Sequence, residues 1–103
     1  MSFRAPLQSL DLALAAAGLP DLMAAGYPDL DAETVSAGRD SAAAFAEAGL
    51  APLNRDGDRI GARFENGVVT GAPGFAQAYQ AFAAQGWNSL AADPEFGGQG
   101  LPK

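Results

Sequence analysis

Asn54, Asp56, Asp58 and Glu65 stand at positions 1, 3, 5 and 12 of a pattern in which oxygen ligands close around a hard cation. Position 6 of such a loop requires glycine for a sharp turn, and Arg59 occupies it; position 8, normally apolar, is Gly61. Arg55 and Arg59 also bring positive charge to the would-be site. These residues therefore read as a solvated, charged helix end, and no metal ligand is assigned. Gly97-Gly98-Gln99-Gly100 could suggest a phosphate cradle, but no strand precedes it, no helix follows it and no lysine sits where a P-loop needs one. It reads as a glycine corner. Phe75, Tyr79 and Phe82, at i, i+4 and i+7, could line a ligand pocket, although packing against another helix is the default at that spacing. Pairs such as Asp56 and Asp58 are too exposed by context for acid–base work.

What is missing restricts the chemistry further. The 103 residues contain no histidine and no cysteine. That removes serine triads, Cys-His pairs, His-containing zinc sites, thiolate nucleophiles and disulfides from this chain. Any chemistry would fall to carboxylates, Tyr27, Tyr79 or the single lysine, Lys103. The net charge of −6, with six scattered basic residues, excludes a phosphate track for nucleic acid and opposes an anionic membrane surface. No apolar run approaches the ~20 residues that span a bilayer. The N-terminal MSFRAPLQSL lacks the uninterrupted apolar region of a secretory signal, and a cytoplasmic location is expected.

The elements that must position these residues form an all-α domain: three main helices, a short helical turn and at most one minute hairpin. A first helix is expected from about Ser9, as cap, to Ala17, with Leu7, Leu10, Leu14 and Ala17 on one face. Gly18 ends it, and Pro20 opens a short helical turn through Ala25. Gly26 to Leu30 reads as a loop. The longest helix starts at Asp31, carries Val35, Ala42, Phe45, Ala46, Leu50 and Leu53 on one stripe, and ends near Asp56 or Gly57. Pro52 should kink it, because it removes the hydrogen bond to the Ala48 carbonyl. Asn66-Gly67 within ARFENGVVT signals a type I′ hairpin, too small to be stable without packing. Pro73 fits the first position of a last helix, ending by Gly86.

One domain fills this length. Alanine supplies 24 of the 50 hydrophobic residues, leaving 26 larger apolar side chains to build a core. Because burial contributes only about 25 cal/mol per Å², a chain this short and alanine-rich is expected to be a layer that needs a neighbour. The densest run of special residues is Gly86–Pro102, GWNSLAADPEFGGQGLP, which holds the lone tryptophan, an Asp-Pro turn and three glycines. It reads as a rigid corner, with Trp87 and Phe96 as anchors and with Gly97, Gly98 and Gly100 permitting backbone angles that other residues resist.

That tail resembles the N-terminal helical domain of the acyl-CoA dehydrogenase family. Tyr79, Phe82, Gly86, Trp87 and Leu90 precede DPEFGGQGLP at Asp93–Pro102, while APLN at Ala51–Asn54, Gly57-Asp58 and ENGVVT at Glu65–Thr70 fit the same pattern. The resemblance is closest to the long bacterial members, a group that includes methylthiopropanoyl-CoA dehydrogenases, and covers most of residues 3–102. Gly38 and Gly49 depart from it, standing where stronger helix formers are expected. The resemblance implies that residues 1–103 are a fragment: an N-terminal helical domain whose β-rich middle and helical C-terminal domains are absent. It implies a parent that holds FAD and oxidises acyl-CoA to 2,3-enoyl-CoA. A glutamate takes the α-proton there and the β-hydrogen leaves as hydride. None of the four glutamates here matches that base, so no catalytic, cofactor or metal residue is carried over and the fragment is expected to be inactive alone. Its expected partners are the remaining domains of the parent and, for Phe45, Phe82 and Trp87 left uncovered, a second copy. The alternative is a stand-alone helical interaction or dimerisation module.

Overall fold

The computed structural model describes residues 2–103. Helix α1 spans Leu7–Ala16 with Pro6 as its N-cap, and no side chain caps it. Ser9 therefore lies inside the helix, two residues past its true start. Proline sets its own φ at −81°, and its carbonyl accepts from Leu10 N–H at 3.0 Å, so the turn closes without a hydroxyl. Gly18 (φ +89°) makes the turn into α2, Leu19–Gly26, with Pro20 in its first turn. Asp31 caps α3, Ala32–Phe45, its carboxylate accepting from Thr34 N–H at 2.7 Å.

Beyond Phe45 the rod continues through a π-helical turn, Ala46–Leu50, into α4, Ala51–Ile60. This widened turn stands directly before Pro52, the residue expected to disturb the helix. Ala51 N–H donates to the Ala46 carbonyl, five residues back, and the extra residue in the turn makes room for a proline ring that an α-helix would press against the Ala48 carbonyl. The helix also outlasts its expected end near Asp56 or Gly57, stopping where Gly61 takes φ +63°.

Arg63–Glu65 (β1) and Val68–Thr70 (β2) form the antiparallel hairpin, with Arg63 opposite Thr70, Phe64 opposite Val69 and Glu65 opposite Val68. Asn66 (φ 53°) and Gly67 (φ 77°) are its two loop residues, both left-handed as a type I′ turn requires. The last helix, α5, is Phe75–Ala84. Pro73 does not start it: Ala72–Phe75 is a β-turn, closed by Phe75 N–H to the Ala72 carbonyl at 3.2 Å, with proline at its second position and Gly74 (φ +85°) at its third. Single 3₁₀ turns at Trp87–Ser89 and Pro94–Phe96 lead into the corner.

The architecture is the small all-α layer expected: α1, the α3–α4 rod, α5, the short α2 and one hairpin. It measures 54 × 38 × 19 Å, so its thin dimension holds at most two helix diameters. Among the described residues only Ala43 and Ala72 are buried, and no large side chain is fully enclosed.

Candidate docking face

Among the described residues no single side chain gathers others into a reaction centre. Asn54, Asp56 and Asp58 all lie on α4, with Asp56 turned away from the other two, and Glu65 lies in β1, so the cation-loop spacing falls on a helix rather than a wrapping loop. Among the described residues no group of three acidic side chains is placed to hold a metal ion. Tyr27 and Lys103 border an open groove of about 460 Å³ between α2 and the C-terminal corner, whereas Tyr79 lies on α5.

Two carboxylates carry displaced pKa values, and both are lowered. Glu47, in the π turn, accepts Ala5 N–H at 2.8 Å and then Arg4 Nη1 at 3.0 Å, bonds that favour its charged form. Asp31 is lowered by the Thr34 amide that it caps. Stabilising the charged form is the opposite of what a general base poised near neutrality needs. Glu47 is instead a tie, holding the residues before α1 against the π turn. Sequence reading missed it, since a partner 42 residues away leaves no local pattern. A second tie runs from Arg39 on α3 to Asp11 on α1, with Asp40 and Ser36 also bonded to Arg39.

The corner is built as a knot of backbone hydrogen bonds. Gln99 N–H reaches the Ser89 carbonyl, Gly100 N–H that of Ala92 and Leu101 N–H that of Leu90, each at 2.9–3.1 Å. Gly97 (φ +83°) and Gly100 (φ +64°) use the left-handed backbone as expected. Gly98 does not; it is needed because any Cβ there would collide with the Ala92 backbone. Phe96 is 81% exposed and anchors nothing within this chain, which corrects its expected role. Trp87 is half-buried, its Nε1–H donating to Gln85 Oε1 at 3.0 Å.

The feature that does gather residues is an apolar groove of about 290 Å³ between α4 and α5, lined by Leu50, Leu53, Asn54, Phe75, Tyr79 and Phe82 among others. Positions 50, 53, 54 and 57 recur at i, i+3, i+4 and i+7, which turns this side of α4 toward α5. Gly57 lets the Phe75 ring lie against the rod, and Gly74 lies where a Cβ would come within 2.8 Å of Leu53 Cδ2. Phe82 reaches Phe45 on α3 at 6.3 Å between ring centroids, so part of the aromatic face packs helix on helix as expected. The rest is uncovered: Phe75 is 45% and Tyr79 64% exposed. No charged residue occurs from Asn66 to Ala92, a stretch that includes β2 and all of α5. Aromatic enrichment and charge depletion are the compositional marks of an interface core.

No family model matches the chain. It is 39% identical, over 77 residues, to 3-methylmercaptopropionyl-CoA dehydrogenase of Ruegeria pomeroyi (strain ATCC 700808 / DSM 15171 / DSS-3). The match covers 75% of this chain and 13% of that enzyme. The resemblance drawn from the sequence thus holds: over most of its length the chain is similar to one short stretch of an acyl-CoA dehydrogenase.

Proposed function

We propose that residues 1–103 form the N-terminal helical domain of an FAD-dependent acyl-CoA dehydrogenase, a packing layer on which the middle and C-terminal domains of the same enzyme dock. The observation that carries this reading is the conjunction of 39% identity with an acyl-CoA dehydrogenase and a layer in which, among the described residues, only two alanines are buried. In the parent, bound FAD supplies the two-electron acceptor that no amino-acid side chain provides. The residues present do not fit a flavin: a cofactor site is concave with convergent polar groups, and the α4–α5 groove is open and offers only the Asn54 amide and the Tyr79 hydroxyl. Nor do they fit the proton abstraction, because Glu33, Glu47, Glu65 and Glu95 lie on four separate elements and the one with a displaced pKa is held charged by its hydrogen bonds. The chain's own contribution is therefore shape, an apolar face and a rigid corner, and its setting is a soluble metabolic enzyme of the cytoplasm.

The test is titration of the purified chain with FAD, followed by an electron-acceptor assay with several acyl-CoA thioesters. The expected outcome is no stoichiometric flavin binding and no turnover above a heat-killed control. Either signal places the active site in this chain and overturns the assignment.

A further inference from the structure

We propose that Asn66-Gly67 is a site of spontaneous covalent modification, at which the Asn66 side chain cyclises onto the main chain and reopens as aspartate or isoaspartate. The proposal rests on the linkage and hydrogen bonding of the chain itself and does not depend on the enzyme assignment.

Asparagine is thermolabile because its side-chain carbonyl can close a five-membered ring with the amide nitrogen that follows it. Three asparagines occur, Asn54, Asn66 and Asn88. The N–H that follows each one separates them. Asn54 lies in α4, where Arg55 N–H belongs to the helical hydrogen-bond ladder. Asn88 is followed by Ser89, whose N–H donates to the Gly86 carbonyl at 3.1 Å. Gly67 N–H stands in the turn, outside the β1–β2 ladder, and has no acceptor among the described residues. Glycine also sets no side chain beside the attacking nitrogen, and a Cβ there would meet nothing within 4 Å. Asp56-Gly57 shares the missing side chain, but α4 engages its N–H.

Closing the ring rotates the Asn66 Cα–C bond away from its type I′ value, so the step runs through transient opening of the turn. Two strands of three residues each make that opening cheap. Once base has taken the Gly67 amide proton, the nitrogen attacks Asn66 Cγ. The N–Cγ bond forms, the Cγ–Nδ2 bond breaks, and Nδ2 leaves with a proton as ammonia. Water then adds to one carbonyl of the ring. Breaking the new N–Cγ bond gives aspartate; breaking the original main-chain N–C bond gives isoaspartate, with the chain routed through Cβ and Cγ. Either product adds a carboxylate next to Glu65. Isoaspartate also lengthens the two-residue loop by a methylene, which removes the register of Glu65 opposite Val68.

The experiment incubates the 103-residue chain in warm, mildly alkaline buffer and follows it by peptide mass spectrometry, ammonia release and an isoaspartate methyltransferase assay. The peptide holding Asn66 is expected to gain about 1 Da in two isomeric forms with equimolar ammonia, while Asn54 and Asn88 convert at least about tenfold more slowly. Gly67→Ala puts a methyl group beside the attacking nitrogen and slows conversion about tenfold, even though its strained turn opens more often. Asn66→Asp releases no ammonia from this position. An Asn66 peptide that stays unchanged overturns the proposal; if the same chain in urea converts meanwhile, the folded turn is what protects it. Equal conversion at all three asparagines also overturns it, because global unfolding then sets the rate. So does a Gly67→Ala chain that converts as fast as the unsubstituted one.

Discussion

At the residue scale the protein depends on a few side chains and a few missing ones. Gly98 is the clearest case of a missing one. Alanine there drives a methyl group into the Ala92 backbone, so Gly98→Ala is expected to destabilise the chain by about 2 kcal/mol, with the loss visible in urea unfolding and in Trp87 fluorescence near the corner. Gly97 and Gly100 were legible from the sequence as left-handed positions; the close approach at Gly98 was not, because it is created by a carbonyl several residues away in a tertiary turn. Glu47 is the corresponding case of a side chain present. Its folded-state pKa is lowered, so its tie contributes fully above the ordinary glutamate value of about 4.5 and is lost as the pH falls through the lower folded value. Glu47→Gln should therefore lower the melting temperature at pH 7, and the deficit should shrink as the pH falls through the lowered folded value and the wild-type carboxyl takes up its proton. Melts along a descending pH series check this, and a deficit that does not shrink with falling pH would remove the charged tie from the account.

At the scale of elements, helix existence was legible and helix ends were not. Leu7 to Leu14 and Val35 to Leu53 show the apolar period of helices, and Gly18 and Asn66-Gly67 announce their turns through backbone angles that other residues resist. The errors came where two local rules competed. Pro6 displaced Ser9 as the cap of α1, and Pro73 entered a β-turn because Gly74 could supply the positive φ at its third position. The π turn had no local signature, since its cause is a steric conflict at Pro52 that a kink or an extra residue can each relieve. Two glycines of similar φ separate backbone strain from packing. Gly67→Ala meets open space and should cost about 1 kcal/mol from the left-handed backbone alone. Gly74→Ala bears that strain and also presses on Leu53, so it should cost more and separate α5 from the rod. Equal losses in urea unfolding would show that Leu53 yields freely and that the α4–α5 contact is loose.

At the scale of the whole molecule, composition had already pointed to the main property. With 24 alanines and 26 larger apolar residues, the chain builds a slab 19 Å thick that, among the described residues, encloses only Ala43 and Ala72. What the sequence left illegible was which face stays open, because Phe45, Phe82 and Trp87, the residues expected to be left over, are half-covered, while Tyr79, Phe64, Val69 and Phe96 are not. The gap between Glu65 and Asp93 without a charged residue was the available signal. The central claim, that this layer completes a larger dehydrogenase, is tested most directly by complementation. The Ruegeria pomeroyi enzyme, lacking the stretch that this chain matches, is mixed with the purified 103 residues, and oxidation of 3-methylmercaptopropionyl-CoA is followed with an artificial electron acceptor. The account predicts little or no activity from the truncated enzyme alone and activity restored in a saturable way by the chain, with Gly98→Ala restoring less. Full activity of the truncated enzyme without the chain, or no restoration by a chain whose circular dichroism shows it folded, would contradict it.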